Sequence, residues 1–242
     1  MIKQPDQPLG QPVKAPDTLL SPRHQTYEGR FVTLTPLNAE TDAAGLYAAS
    51  HGGDAKAQVW TYMPQGGPFE MSSAMRPWLE RCQASKDPLF FTVTSNGSKV
   101  GMVSFLNIVP SMLRLELGFI WYSPEVQRTK VNTEAIYLML SEAFDVLGYR
   151  RVEWKCDALN ARSVAAAQRL GFSFEGIFYK HMIVKGHNRD TAWFAMLDTD
   201  WPQIKANIES WLYGNDSSAS LTALNAAVRR ASFPERNYPA KS

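Results

Sequence analysis

The stretch LELGFIWYSPEVQRTKVNTEAIYLML, from Leu115 to Leu140, places an apolar strand, a short polar turn and the start of a helix in direct succession. The strand is indicated by period-two alternation, and the helix by apolar residues at spacings of three, four and seven. A helix N-terminus presents backbone N–H groups without helical partners at the positive end of the helix dipole. Such a turn is therefore a candidate anion-binding loop for a phosphate group.

The turn contains no glycine, although many phosphate-binding loops are built on that residue. Glycine is required only where φ is positive or where a ligand presses on the Cα atom. We expect Asn132 to cap the helix, and Arg128 and Lys130 to bring positive charge close to the bound anion. An ordinary strand-to-helix turn with two solvated basic side chains fits the same residues, and the turn alone does not decide between the two.

Alternation along the strand predicts two faces with different side chains. One face is predicted to carry Leu115, Leu117, Phe119 and Trp121, and the other Arg114, Glu116, Gly118 and Ile120.

The segments on either side predict the rest of the sheet. An Asn96-Gly97 turn between two apolar runs is a strong hairpin signal, so a meander precedes the central strand. After the helix come a strand at 150–158, a helix at 160–172, two strands and a last helix at 201–212. This order predicts an α/β (α+β) fold, in which a mixed, mostly antiparallel sheet carries helices on both faces.

Composition predicts three parts of the chain. They are a proline-rich N-terminal arm at 1–28, a folded domain at 29–203, and a C-terminal helix with a tail at 204–242. A net charge of +2 on 242 residues gives no reason to expect a nucleic-acid or membrane partner.

Cysteine and histidine usage indicates a cytoplasmic protein without a metal. The two cysteines are far apart in the sequence, which favours reduced, buried thiols. The sequence contains no apolar run of about 18 residues. The four histidines show no metal-ligand spacing, so no metal site is predicted.

Three motifs in this order resemble the GNAT superfamily of acyl-CoA-dependent N-acetyltransferases. They are the opening stretch, NARSVAAAQRLGF at 160–172, and FEGIFYKHMIVKGHNRDTAWFAMLD at 174–198. The branch most similar to them includes the ribosomal-protein N-terminal acetyltransferases. In that family the diphosphate loop reads Gln/Arg-x-x-Gly-x-Gly/Ala; Gln127 matches, whereas Lys130 and Asn132 replace the glycines.

The resemblance implies acetyl-CoA as the acetyl donor, held in a cleft between the FIWYS strand and the VEWKCDA strand. The residues that it assigns to this cosubstrate are Phe119, Ile120, Trp121, Gln127, Arg128, Thr129, Lys130, Val131, Asn132, Thr133 and Asn160. Asn160 also fits a purely structural role as a helix N-cap.

Amide formation requires a neutral amine, a polarised thioester carbonyl and a proton for the departing thiolate. By resemblance, Ser163 is the donor to the thiolate, because Ala167 stands where much of the superfamily has a tyrosine. Glu116 and Glu175 are the candidate bases. The acceptor wall is predicted to contain Trp60, Tyr62, Met63 and Phe69. Ordinary structural roles remain open: a first-turn serine, ion-paired carboxylates and aromatic packing.

These implications predict an N-acetyltransferase that moves an acetyl group to a primary amine by direct transfer in a ternary complex. The acceptor is expected to be a small-molecule or peptide amine. The arm and tail are compatible with covering the acceptor cleft or with forming a homodimer. The rival hypothesis is a non-catalytic acyl-CoA-binding or protein-interaction module of the same fold.

Overall fold

A mixed sheet of eight strands forms the centre of the protein, which a computed structural model describes for residues 8–14, 16–214 and 219–231. The strands are β1 (Tyr27–Glu28), β2 (Thr33–Pro36), β3 (Leu89–Ser95), β4 (Ser98–Val109), β5 (Arg114–Tyr122), β6 (Arg151–Asp157), β7 (Ser173–Val184) and β8 (His187–Leu197). Their order is β1-β2-β3-β4-β5-β6-β8-β7, with β5 and β6 parallel and the other neighbours antiparallel. The predicted fold class is confirmed.

The helices lie on the two faces of this sheet. They are α1 (Ala39–Ser50), α2 (Asp54–Ala57), α3 (Ser72–Ala84), α4 (Lys130–Ser141), α5 (Ala161–Leu170), α6 (Trp201–Tyr213) and α7 (Leu221–Ala226). Asn38 caps α1 by accepting from the amides of Glu40 and Thr41. None of these described helices is long and apolar enough to cross a bilayer.

Two apolar clusters hold the helices to the sheet. On one face Leu117 packs with Met139 of α4 and Ile204 of α6, all at most 1% exposed. On the other face Met102 belongs to a smaller cluster with Leu46 of α1 and Leu79 of α3, called the α1/α3 cluster below. Each fully buried side chain of this size contributes about 1.5–3 kcal/mol, so both helix layers are integral to the fold.

The predicted division at residue 203 does not follow a structural boundary. Helix α6 begins at Trp201 and buries Ile204, Ile208 and Leu212 completely in the larger cluster. The described part of the arm has neither helix nor strand before Tyr27, where β1 joins β2. Residues 215–218 and 232–242 of the predicted tail lie outside the described residues.

A β-bulge in β5 makes the predicted alternation wrong beyond Gly118. Between the pairs Met102–Trp121 and Ser104–Gly118, β5 has one residue more than β4, and Phe119 has a φ of 49°. The extra residue turns the strand over. Phe119 and Trp121 therefore pack in the α1/α3 cluster, on the face opposite Leu115 and Leu117.

Both cysteines are free and buried, as predicted. Cys82 lies in the α1/α3 cluster and Cys156 in the cluster on the opposite face of the sheet.

Candidate functional site

A cleft opens where β5 and β6 separate. The two strands pair from Arg114 and Arg151 as far as Leu117 and Trp154, and no pairing follows beyond these residues. Both strands nevertheless continue, β5 for five more residues and β6 for three. The diverging ends form a fork with unpaired main-chain groups on its inner edges.

The bulge lies at this fork. Phe119 and Ile120 have no partner in the ladder between β4 and β5, because the register skips both of them. Where a bulge leaves a main-chain N–H without a ladder partner, that group can donate to an oxygen atom placed in the cleft.

Helix α4 begins beside the fork and is capped by Thr129. The hydroxyl of Thr129 accepts from the amide of Val131 at 3.3 Å and donates to the carbonyl of Val126 at 2.7 Å. Asn132 lies within the first helical turn, so the prediction that it caps the helix is wrong. The side chain of Gln127 donates to the carbonyl of Tyr122 at 3.0 Å and ties the loop to the end of β5.

The start of α4 offers a group of open amides. Among the described residues, no protein acceptor lies within hydrogen-bond distance of the amides of Arg128, Thr129, Lys130 or Asn132. Arg128 adopts a left-handed φ of 64°, the conformation for which glycine is usually required. Arg128 thus adopts this conformation without being a glycine, at a backbone cost of about 1–2 kcal/mol.

The two basic side chains of the loop behave differently. Arg128 is exposed and forms no ion pair within the described residues. The ammonium of Lys130 donates to the carbonyl of Leu212 and lies 5.1 Å from the ring centroid of Phe31. The lysine charge is therefore committed to the end of α6, which corrects the expectation that it stands free beside a bound anion.

A cation that the sequence did not indicate lies at the first turn of α4. The guanidinium of Arg169, on α5, donates to the hydroxyl of Thr133 at 2.8 Å.

Helix α5 brings a serine to the fork. The side chain of Asn160 accepts from the amide of Ser163 at 3.1 Å, which is the N-cap geometry. The hydroxyl of Ser163 accepts from the indole of Trp154 at 3.0 Å. This bond does not use the hydrogen of the hydroxyl, which can point at a second acceptor.

A sulfur atom already stands beside this hydroxyl. Burial raises the pKa of Cys156 to about 11, and a hydrogen bond with Ser163 opposes that rise. The indole of Trp154 orients the serine. This role could not be predicted from the sequence, because the position of Trp154 on an apolar strand face indicates only packing.

Glu116 is buried on β5, with 2% of its surface exposed. Its carboxylate accepts from the ammonium of Lys155 at 2.8 Å and from the side-chain amide of Asn107 at 2.6 Å. Burial raises the pKa of Glu116, and the charge of Lys155 opposes this rise.

Glu175 is held in an ion pair with the first residue of β6. Its two carboxylate oxygens accept from the guanidinium of Arg151 at 2.9 and 2.6 Å, and this pairing lowers the pKa of Glu175. The registers of β7 with β8 and of β8 with β6 place Glu175 level with Trp154 and Lys155, where the fork opens, but two strands across the sheet from β6. The predicted position of Glu175 beside the acceptor stays a prediction.

The predicted aromatic wall divides into two parts. Trp60 and Tyr62 line a cavity of about 420 Å³ together with Asp157 and residues of the β7–β8 hairpin. Met63 and Phe69 belong to the α1/α3 cluster and do not line that cavity.

A sheet that splays at a bulge, next to a helix N-terminus with open amides, defines a class of proteins that hold an extended nucleotide thioester. Residues 32–173 match the family model of the acetyltransferase (GNAT) domain. The chain belongs to this family of acetyl-CoA-dependent acetyltransferases, as its motifs predicted.

Three similar proteins extend this finding. A GCN5-related N-acetyltransferase from Brucella melitensis, known from a crystal structure, is 40% identical, with a TM-score of 0.80 over 85% of this chain and 96% of that chain. "Putative ribosomal N-acetyltransferase YdaF" of Bacillus subtilis is 28% identical over 106 residues, covering 44% of this chain and 57% of its own length. Spermidine N(1)-acetyltransferase of Escherichia coli K12 is 30% identical over 100 residues, covering 41% and 53%. The chain spans about half the length of the curated relatives it matches.

Proposed function

We propose that this protein is a cytoplasmic N-acetyltransferase that moves an acetyl group from acetyl-CoA to a primary amine by direct transfer in a ternary complex. The observation that carries the proposal is the fork between β5 and β6, with unpaired main-chain groups at its bulge and open amides at the start of α4.

The residues present fit acetyl-CoA. A diphosphate needs several N–H donors in one place, and the amides of Arg128, Thr129, Lys130 and Asn132 supply them without competition from described acceptors. The pantetheine arm is an extended amide chain, which suits the unpaired edge of β5 from Phe119 to Trp121. Arg169 adds positive charge at the same helix end.

Separate groups of the protein then carry out the separate steps of the reaction. When bound, the thioester supplies an activated acetyl group. A main-chain N–H at the bulge stabilises the negative charge that develops on the carbonyl oxygen. Glu116 receives the proton that the amine loses, through water, and the hydroxyl of Ser163 donates to the departing sulfur. The nitrogen–carbon bond forms as the carbon–sulfur bond breaks.

Ser163→Ala is expected to lower kcat for thiol release about 10- to 100-fold, because a hydrogen bond to a charged group contributes about 1.5–3 kcal/mol. The affinity for acetyl-CoA should change little, since the Asn160 cap uses only the backbone of Ser163. The rate at which free thiol is released at saturating substrate gives kcat. Ser163→Thr, which keeps a hydroxyl, is the matched control. A Ser163→Ala enzyme with wild-type kcat would exclude the serine as thiolate donor.

Glu116→Gln is expected to remove the acidic limb of the pH–rate profile, whereas Glu175→Gln should leave it unchanged. Burial raises the pKa of Glu116, so wild-type activity should fall with decreasing pH already above the usual carboxylate range. Glu175 is also a carboxylate, but its pairing with Arg151 lowers its pKa, so it serves as the matched control. Equal losses in both variants, or an unchanged limb in Glu116→Gln, would contradict the base assignment.

The function itself is tested by titrating the purified protein with acetyl-CoA and then measuring thiol release with a panel of primary amines. Amine-dependent release, with an acetylated product detected by mass, is the expected result. Tight binding without release from any amine would favour a non-catalytic acyl-CoA-binding module.

A further inference from the structure

A cavity of about 420 Å³ lies between the aromatic loop after α2 and the β7–β8 hairpin. Its volume is within the range of small-ligand sites. Among its lining residues are Trp60, Tyr62, Asp157, Lys185 and Arg189. Its lining contains none of the residues assigned to acetyl-CoA, so the cavity is distinct from the proposed cosubstrate site.

Arg189 is an unpaired cation in this wall. Only 7% of its surface is exposed, and its Nε atom is buried without a hydrogen-bond partner in the described parts of the chain. No carboxylate lies within 4.0 Å of its guanidinium in the same residues. A buried charge without a partner is costly, and the terminal nitrogens of this one reach the cavity surface.

Lys185 is a second cation without a counter-charge. Its ammonium donates to the carbonyls of Trp60 at 2.8 Å and Gly67 at 3.2 Å, and burial lowers its pKa. The carboxylate in the lining, Asp157, accepts from the amide of Leu159 at 2.9 Å. Two cations thus face one carboxylate, and the cavity has an excess of positive charge.

The cavity adjoins both arms of the fork. Asp157 ends β6, the arm that leads into the Asn160 cap. Trp60 contacts Trp121 of β5, with ring centroids 5.5 Å apart. A molecule in the cavity therefore lies beside the place where the proposed acetyl transfer occurs, on the sheet face opposite α4.

We infer that the cavity binds an oxyanion group, a carboxylate or a phosphate, that belongs to the amine acceptor. A guanidinium pairs with either group through two parallel hydrogen bonds. The inference rests on the proposed function and narrows its substrate class to amines that carry an anionic group. Polyamines, which carry a second cation, are disfavoured by Lys185 and Arg189.

The test compares ω-amino carboxylates of two to six carbons with the amide and the diamine of the same length, and with phosphoethanolamine. We expect kcat/KM to be at least 10-fold higher for one or more of the anionic amines than for the neutral and dicationic ones. The length series allows for the unknown distance from amine to anion, and the phosphate compound distinguishes the two oxyanions. A preference for amides or diamines would overturn the inference and leave the acetyltransferase proposal standing.

Arg189→Gln should raise KM for the anionic acceptor 10- to 100-fold and remove the preference, while KM for acetyl-CoA stays unchanged. Arg189→Lys, which keeps a charge, should restore part of the preference. Because the wild-type guanidinium has no protein partner, Arg189→Gln should unfold at the same temperature or a higher one. A lower unfolding temperature, or a rise in KM for acetyl-CoA alone, would show a structural or cosubstrate role instead.

Calorimetric titration of the protein with ω-amino carboxylates and their amides separates the two proposals. Carboxylate-dependent binding that Arg189→Gln removes, without thiol release from any amine, would support the anion site and overturn the acetyltransferase. Equal binding of carboxylates and amides to both proteins would overturn the anion site.

Discussion

Replacing Glu134 with alanine is expected to lower the free energy of unfolding by at least about 3 kcal/mol. This carboxylate on α4 is fully buried and accepts from three successive amides, those of Arg30 at 2.9 Å, Phe31 at 2.6 Å and Val32 at 2.8 Å. The hydroxyl of Tyr213 donates to it at 2.8 Å. Each buried donor left without a partner costs about 1–3 kcal/mol. The substitution leaves four donors without their acceptor, of which the amide of Val32 is buried and the other three are partly buried.

The same carboxylate joins three separate parts of the chain. It links the segment before β2, the end of α6 and the second turn of α4. A side chain at Gly29 would overlap the carboxylate of Glu134, which explains the glycine at that position. Loss of Glu134 should therefore also disturb the first turn of α4, where the diphosphate is proposed to bind.

Urea unfolding followed by circular dichroism measures this effect, with Glu125→Ala as the control. Glu125 pairs with Lys56 at 3.1 Å, but 60% of its side chain is exposed. An exposed pair of this kind contributes about 0–1 kcal/mol. If Glu134→Ala loses no more stability than Glu125→Ala, the carboxylate does not hold these segments together.

The overall fold could be predicted because local patterns determine it. Period-two runs, the Asn96-Gly97 turn and the helical spacing after Thr133 are each readable within a few residues. Their order predicts the mixed sheet, which the structure confirms.

The bulge could not be predicted from the same pattern. Phe119 is apolar on either face, so alternation continues through it without any visible break in the sequence. The extra residue becomes apparent only from the register against β4.

Contacts between distant segments could not be predicted from the sequence either. Glu134 is one acidic residue in a helical stretch, and its partners are about a hundred positions away. Arg189 reads as a turn residue of a hairpin until the fold brings it beside Trp60 and Lys185. The cap of α4 was misplaced because Thr129 and Asn132 are both good capping residues and lie three positions apart in one turn.

The second large effect is expected at the start of α4, where Lys130→Pro removes a single amide hydrogen. Proline is favoured at the first position of a helix, and the extended conformation of Thr129, with φ of −101° and ψ of −176°, suits a residue before proline. The helix should therefore form normally. A hydrogen bond from this amide to a charged phosphate contributes about 1.5–3 kcal/mol, which corresponds to about a 10- to 100-fold change in Kd.

Lys130→Ala is the matched control, because it loses the same contacts with Leu212 and Phe31 but keeps the amide hydrogen. S-acetylpantetheine, which lacks the diphosphate, provides a second control and should bind both variants with equal affinity. Any difference confined to acetyl-CoA then reports on its nucleotide diphosphate portion.

Calorimetric titration of Lys130→Pro and Lys130→Ala with acetyl-CoA tests most directly whether the amides of a loop without glycine hold the diphosphate. We predict a Kd at least about 10-fold higher for the proline variant. Equal Kd values in two equally folded variants would contradict that role for the amide of Lys130, and with it the placement of the cosubstrate at the start of α4.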